Sequence, residues 1–295
     1  MGTRVPVKEE GCETPASARG HSFFGIGHSR RRFLACAAAF ALPARLRAAH
    51  SALPAWRLAP EGWGKAPAAD IIAVLNSAMM ELWRFFPGRT LEPILVLRGR
   101  QGPIVHYQRN SLKEIVIQLD TRDLYWCQFA YQIAHEFCHI LCGFDDDWRG
   151  NLWFEESLCE AASLFVLHRM ARTWLTSPPH EAWKSYAPHF TEYTGDIMDR
   201  RTAIPDSRLP AFYQKNQSEL VKNPVNRDLN GTFSLSLLRL LEATPHYWEA
   251  VTWLNSTPSK EGESFAAYLA KWKLATPERC RGMVFEVMKR FGISA

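Results

Sequence analysis

Long apolar runs are missing from this 295-residue chain. The best candidate, residues 33–42, is about ten residues, roughly half of what a membrane-spanning helix needs. No transmembrane anchor is therefore expected in the mature protein. A disulfide framework is missing as well. Of seven cysteines, Cys12 and Cys36 fall near the N-terminus, and Cys127, Cys138, Cys142, Cys159 and Cys280 remain; among these only Cys138 and Cys142, four apart on one helix, are expected to project away from the direction that His135 and His139 share. An odd number does not make a framework, and a chain of this length buries enough core to stand without one. Internal repeats and low-complexity tracts are absent too. Charge of one sign is the last thing lacking. The net +5 resides in residues 1–49, which hold eight Lys/Arg against three Asp/Glu and leave 27 of each in the rest. A neutral body removes the compositional argument for a nucleic-acid partner.

What is present begins with a basic head. Ser29-Arg30-Arg31-Arg32-Phe33-Leu34 matches the twin-arginine export pattern. It is followed by the short apolar run, Pro43, and small residues up to Ala52. Residues 1–50 are read as a twin-arginine leader. The expectations are the twin-arginine export machinery as a partner and a periplasmic or secreted location. Residues 51–295 form the working part, with no linker that divides it.

The pattern along that part is strands first and helices after, so the expected class is α+β. Residues 54–67 read as irregular. A helical period runs over 69–86 and stops at Pro87-Gly88. Strands are expected over 91–97, 104–107 and 114–119, within a sheet region of about 90–120. In the third of these, Ile115, Ile117 and Leu119 alternate onto one face. Asp120-Thr121-Arg122-Asp123 offers an N-cap for a helix over about 123–142 that Gly143 ends. Asn151 offers one for the next, to about Leu175, so this helical pair spans about 123–175. From about 180 to 295 the chain reads as helical, broken at Pro205, Pro210, Pro224, Pro245, Pro258 and Pro277.

The chemistry concentrates in the two central helices. Ala134-His135-Glu136-Phe137-Cys138-His139 contains a His-Glu-x-x-His motif. Residues four apart share a helix face, so His135 and His139 can both offer an imidazole nitrogen to one metal ion. Glu136 can reach a water on that ion without being a ligand. Zinc brings the pKa of such a water toward about 7, which suits Glu136 as a general base. The third ligand must come from elsewhere, and Asp145, Glu155, Glu156 and Glu160 are in range. If the second helix packs antiparallel to the first, its opening turns meet the motif. Glu156 and Glu160 then share a face, one to bind the metal and one to fix the tautomer of His135. Glu155 reads as a solvated neighbour. Asp145, six residues past His139, is a minor alternative because Cys142 stands where that register needs glycine. The cysteines read as small core residues.

His135-Glu136-Phe137-Cys138-His139 together with Trp153-Phe154-Glu155-Glu156-Ser157 resembles the gluzincin metallopeptidases, among them the thermolysin-like and aminopeptidase N groups. The resemblance covers roughly residues 90–290. It implies Glu156 as the third zinc ligand beside His135 and His139, Glu136 as the base, and Glu160 as an acid behind the ligands. It also implies that strand 114–119 is the sheet edge on which a peptide substrate lies. Arg227-Asp228-Leu229-Asn230-Gly231 is similar to the family's Tyr-x-Lys-Gly segment, with Asp228 where the tyrosine falls. Tyr193, Tyr213, His189 and His246 are candidates to take that tyrosine's role. The motif that grips a free N-terminus is absent. The expected activity is hydrolysis of peptides or proteins by a zinc-activated water. The alternative is a degenerate zinc-binding module without catalysis.

Overall fold

The computed structural model describes residues 52–144 and 150–294. The stretch expected to be a leader, residues 1–50, and Asp145 lie outside the described residues. The described chain is a helix-rich α/β structure with one small mixed sheet. Four strands, β1 (Trp56–Leu58), β2 (Ile94–Arg98), β3 (Ile104–His106) and β4 (Ile115–Leu119), lie in the order β1-β2-β4-β3. β1, β2 and β4 are parallel, and β3 runs antiparallel to β4 with Val105 opposite Ile117.

Parallel neighbours need a crossover. Helix α1 (Ala68–Trp83) supplies it between β1 and β2. The strand β1 lies in the stretch expected to be irregular. Three residues beside prolines give no alternating signal, and β1 exists only because β2 offers it an edge. The second correction is to the sheet edge. β4 is not the edge; it is flanked by β2 and β3, and the short strand β3 is outermost. Residues on both faces of β4, Ile115, Val116, Ile117 and Leu119, are buried, as an interior strand requires.

Helix α2 (Trp126–Leu141) follows the sheet, and α3 (Leu152–Thr173) follows α2. The expected cap in front of α2 is replaced by another arrangement. The N-cap position is Tyr125, without a side-chain bond. Asp123 instead takes a positive φ of 54° and accepts from the Lys65 N–H at 2.9 Å, pinning the α2 entrance to the segment after β1. At the other end Gly143 terminates α2 as read from sequence. Its φ of 71° is the left-handed turn that glycine adopts without strain. The Phe144 N–H returns to the His139 carbonyl. Asn151 precedes α3 but directs its amide to the Glu263 carbonyl at 3.3 Å rather than capping.

α3 is buried along most of its length and on all sides, the mark of a central helix. α2 and α1 pack on it, with α4 (Ala187–Asp199) and α6 (Arg227–Ala243) on other faces. Glu81 of α1 is buried and receives Arg169 at 2.6 Å and Thr173 at 2.8 Å from α3. The C-terminal elements α5 (Leu209–Lys222), α7 (Phe265–Ala275) and α8 (Arg281–Arg290) close over the start of α3. There Trp153 packs against Tyr213, Phe233, Phe265 and Phe291. Trp248, Phe265, Tyr268 and Trp272 are buried, whereas Trp253 is only partly so. Pro210 sits in the first turn of α5 rather than in a break, where its missing N–H has no partner to lose.

A charge clamp ties β1 to the start of β4. Arg57 of β1 donates two bonds of 2.7 Å to Glu114, which also accepts from Asn110 at 2.7 Å. The Arg57 bonds first, then that of Asn110, hold the Glu114 carboxyl at about 2, below its ordinary 4.5. A depressed carboxyl stabilises the fold fully above its unfolded pKa and loses that contribution as pH falls through the folded one. Urea midpoints should therefore differ between the native chain and Glu114→Gln at pH 6. The gap should narrow as pH drops from 4.5 toward 2. A gap independent of pH would rule the clamp out as an acid-sensitive element.

Candidate metal centre

α2 and α3 pack antiparallel. Tyr131 meets Ser163, His135 meets Glu156 and Glu160, and His139 meets Glu155 and Glu156. The two motif histidines stand one turn apart, ring centroids 5.0 Å from each other. One carboxylate faces both: Glu156 Oε2 lies 3.2 Å from His135 Nε2, and Glu156 Oε1 lies 3.7 Å from His139 Nε2.

The opposite ring nitrogens face other carboxylates. His139 Nδ1 lies 2.6 Å from Glu155 Oε1 and His135 Nδ1 lies 3.9 Å from Glu160 Oε1. A carboxylate on Nδ1 keeps the proton there and turns the Nε2 lone pair outward. Glu155 is thus not the solvated neighbour expected from sequence. It is buried and accepts from Asn255 at 2.6 Å, while Tyr268 donates to Asn255 at 2.8 Å. The physical reason is that α3 is enclosed on all sides, so adjacent residues 100° apart both find partners. Glu160 accepts from Tyr131 and from Arg201, and Arg201 also donates to Ser234 of α6 at 2.9 Å. Tyr131, Arg201, Asn255 and Tyr268 were invisible as site residues in the sequence. Only the spacing of Tyr131, one turn before His135, placed it on the same face.

The electrostatics follow from crowding. Glu136, Glu155, Glu156 and Glu160 gather around two imidazoles. For His139, burial opposes the charged ring, but the Glu156 charge and the Glu155 bond prevail and lift it to about 10. Glu156 is resisted by burial yet held down at about 2 by the charges on His139 and His135, with a contribution from Arg227. Glu136 is different. Burial raises its carboxyl, against the histidine charges and a backbone bond from Val105 of β3. It sits beside the outer strand, where burial favours its protonated form.

The donor set fits a divalent cation. Two aimed imidazoles and one carboxylate are borderline ligands, and the local excess of negative charge is what such an ion offsets. The described residues bring together a further possible set, since ring nitrogens of His135 and His139 lie within 4.8 Å of Cys159 Sγ. Cys159 is wholly buried while Glu156 keeps 17% of its side chain exposed. Of the two, the carboxylate is thus the one on the side that solvent can reach.

Of the residues offered from sequence for the tyrosine role, Tyr213 belongs to the aromatic cluster on Trp153, and His189 pairs with Glu192 at 3.0 Å. His246 packs on Tyr247, and Tyr193 lies against the Tyr131 ring, centroids 6.3 Å apart. α6 runs beside α3 in the same direction, with His168 on Glu242 at 2.7 Å near their ends and Arg201 linking Glu160 to Ser234 further up. Arg227, in the first turn of α6, is thereby brought to the start of α3, from where its charge acts on Glu156.

No protein family, curated protein or solved structure matches the chain.

Removing one member of a buried ion pair strands the other. In metal-free protein, Arg201→Met should cost about 3–5 kcal/mol by urea unfolding. Adding Glu160→Leu to Arg201→Met should recover a large part. Additive losses in that cycle would show that the two residues do not act as a pair.

Proposed function

We propose that the chain is an exported zinc metallopeptidase of gluzincin type. The observation that carries this reading is the Glu156 carboxylate facing both Nε2 atoms of the His-Glu-x-x-His pair, with each Nδ1 facing a further carboxylate. His135, His139 and Glu156 would hold the ion, and Glu155 and Glu160 would orient the histidines. Zinc bound there would acidify a water toward a pKa of about 7 and polarise the scissile carbonyl.

The rest of the work falls to the chain's own groups. Glu136, its carboxyl raised by burial, takes the proton of the attacking water and hands it to the departing amine. A peptide in extended form would lie along the free edge of β3, whose Val105 already bonds Glu136, with Ile104 and Tyr107 exposed beside it. This moves the substrate edge from the strand suggested by sequence to its neighbour. Asp228 is exposed in the first turn of α6 and, when ionised, cannot donate to an oxyanion. Arg227, beside it and acting on Glu156, is the cation that can face the developing negative charge.

A second reading rests on that same Asp228: a zinc-holding module without turnover. Metal content and cleavage of a peptide library separate the two. Native protein should carry one zinc and cleave; Glu136→Gln should keep the zinc and lose cleavage; Glu156→Ala should lose the zinc. Zinc without cleavage on any peptide would favour the binding module, and no zinc at all would sink both. Arg227→Gln should reduce kcat about 100-fold, the size found for loss of one oxyanion donor, with zinc retained and KM little changed. An unaltered kcat would remove Arg227 from the mechanism.

A further inference from the structure

Behind the histidines lies a second cluster of donors that hydrolysis does not use. Cys138 and Cys142 are one turn apart on α2, their Sγ atoms 4.0 Å from each other. Cys159 reaches them from α3, and the three sulfur atoms lie within 4.8 Å of one another. All three side chains are fully buried and none is in a disulfide. These thiols were expected to fill the core, with Cys138 and Cys142 pointing away from the motif. Cys138 and Cys142 converge instead with Cys159, whose sulfur also lies near the histidine nitrogens.

The distances suit a metal. Three sulfurs each about 2.3 Å from one ion stand about 4 Å apart when the ion lies in their plane. No other His, Cys, Asp or Glu among the described residues joins the set. A three-donor, all-sulfur site without a fourth ligand is unsuited to zinc, which takes four ligands in closed sites. It is suited to a soft monovalent ion. The surroundings also supply a counter-charge. Arg89 is held against the end of α2, donating to Leu141 O at 2.5 Å, Ile140 O at 3.2 Å and Thr252 Oγ1 at 3.0 Å. Those carbonyls immediately precede Cys142.

We propose that Cys138, Cys142 and Cys159 form a second metal site, distinct from the histidine centre, that takes one cuprous ion. Two thiols lose their protons to solvent as two sulfur–copper bonds form. Two thiolates and one cuprous ion carry a single negative charge, which Arg89 offsets, and the third sulfur completes the coordination. No change of oxidation state is involved. The site stands whether or not the neighbouring centre cleaves peptides. Cys159 Sγ also approaches the histidine nitrogens, so occupancy of the sulfur site places an ion directly behind the ligands of the other.

The test uses reduced full-length protein carrying one equivalent of zinc, titrated anaerobically with cuprous ion against a chromophoric copper chelator. One copper per chain should be withdrawn from the chelator with the zinc retained. X-ray absorption should show three sulfur neighbours at about 2.3 Å. Cys142→Ala and Cys159→Ala should each weaken copper uptake at least 100-fold, and His135→Ala should leave it unchanged. The absorption measurement needs no variant, so a misfolded substitution does not remove the test. No uptake, nitrogen or oxygen neighbours in place of sulfur, or copper gained only as zinc is lost would each overturn the proposal.

Discussion

The contact on which the rest of the structure depends is the antiparallel seam between α2 and α3. It brings two imidazoles and several glutamates out of water together, and burial penalises every one of those charges. The seam is tolerable only because each carboxylate is answered. Glu155 has His139 and Asn255, Glu156 has both histidines, and Glu160 has Tyr131 and Arg201. The architecture around the seam follows from supplying these partners. Arg201 comes from just beyond α4, and Asn255 and Tyr268 come from the C-terminal part that closes over α3.

The same helical repeat works twice along this seam. His135 and His139 present one pair of donors; Cys138 and Cys142, three residues on from each, present another. α3 answers the first with Glu156 and Glu160 and the second with Cys159. One polar and one sulfurous face thus share two helices. The polar face reaches solvent at Glu156 and the outer strand β3, while the sulfur face is sealed and adjoins Arg89. An open, hard-to-borderline set and a closed, soft set invite different ions.

Much of the site was legible beforehand because it is local. A four-residue spacing puts His135 and His139 on one face whatever the surrounding fold, and the same holds for Glu156 and Glu160. The limits of α2 and α3, the glycine stop at Gly143 and the alternation in β4 are likewise properties of short stretches. Partners from distant segments were not legible. Arg201 is 41 residues from Glu160, and Asn255 is 100 from Glu155; no periodicity links them. β1 was missed because a three-residue strand is defined by its neighbour. β4 was taken for an edge because strand order is a long-range pairing.

By itself the sequence determined which side chains share a helix face, His135 with His139 and Glu156 with Glu160, through helical spacing. It also set a neutral body and a basic head. Tertiary structure alone decided that Glu155 is buried behind His139 rather than solvated, that β3 rather than β4 is the free edge, and that three cysteines converge. The reason is the same in each case. A helix repeat specifies direction relative to its own axis. What lies in that direction, whether water, a carboxylate or another sulfur, is set by the packing of segments far apart in the chain.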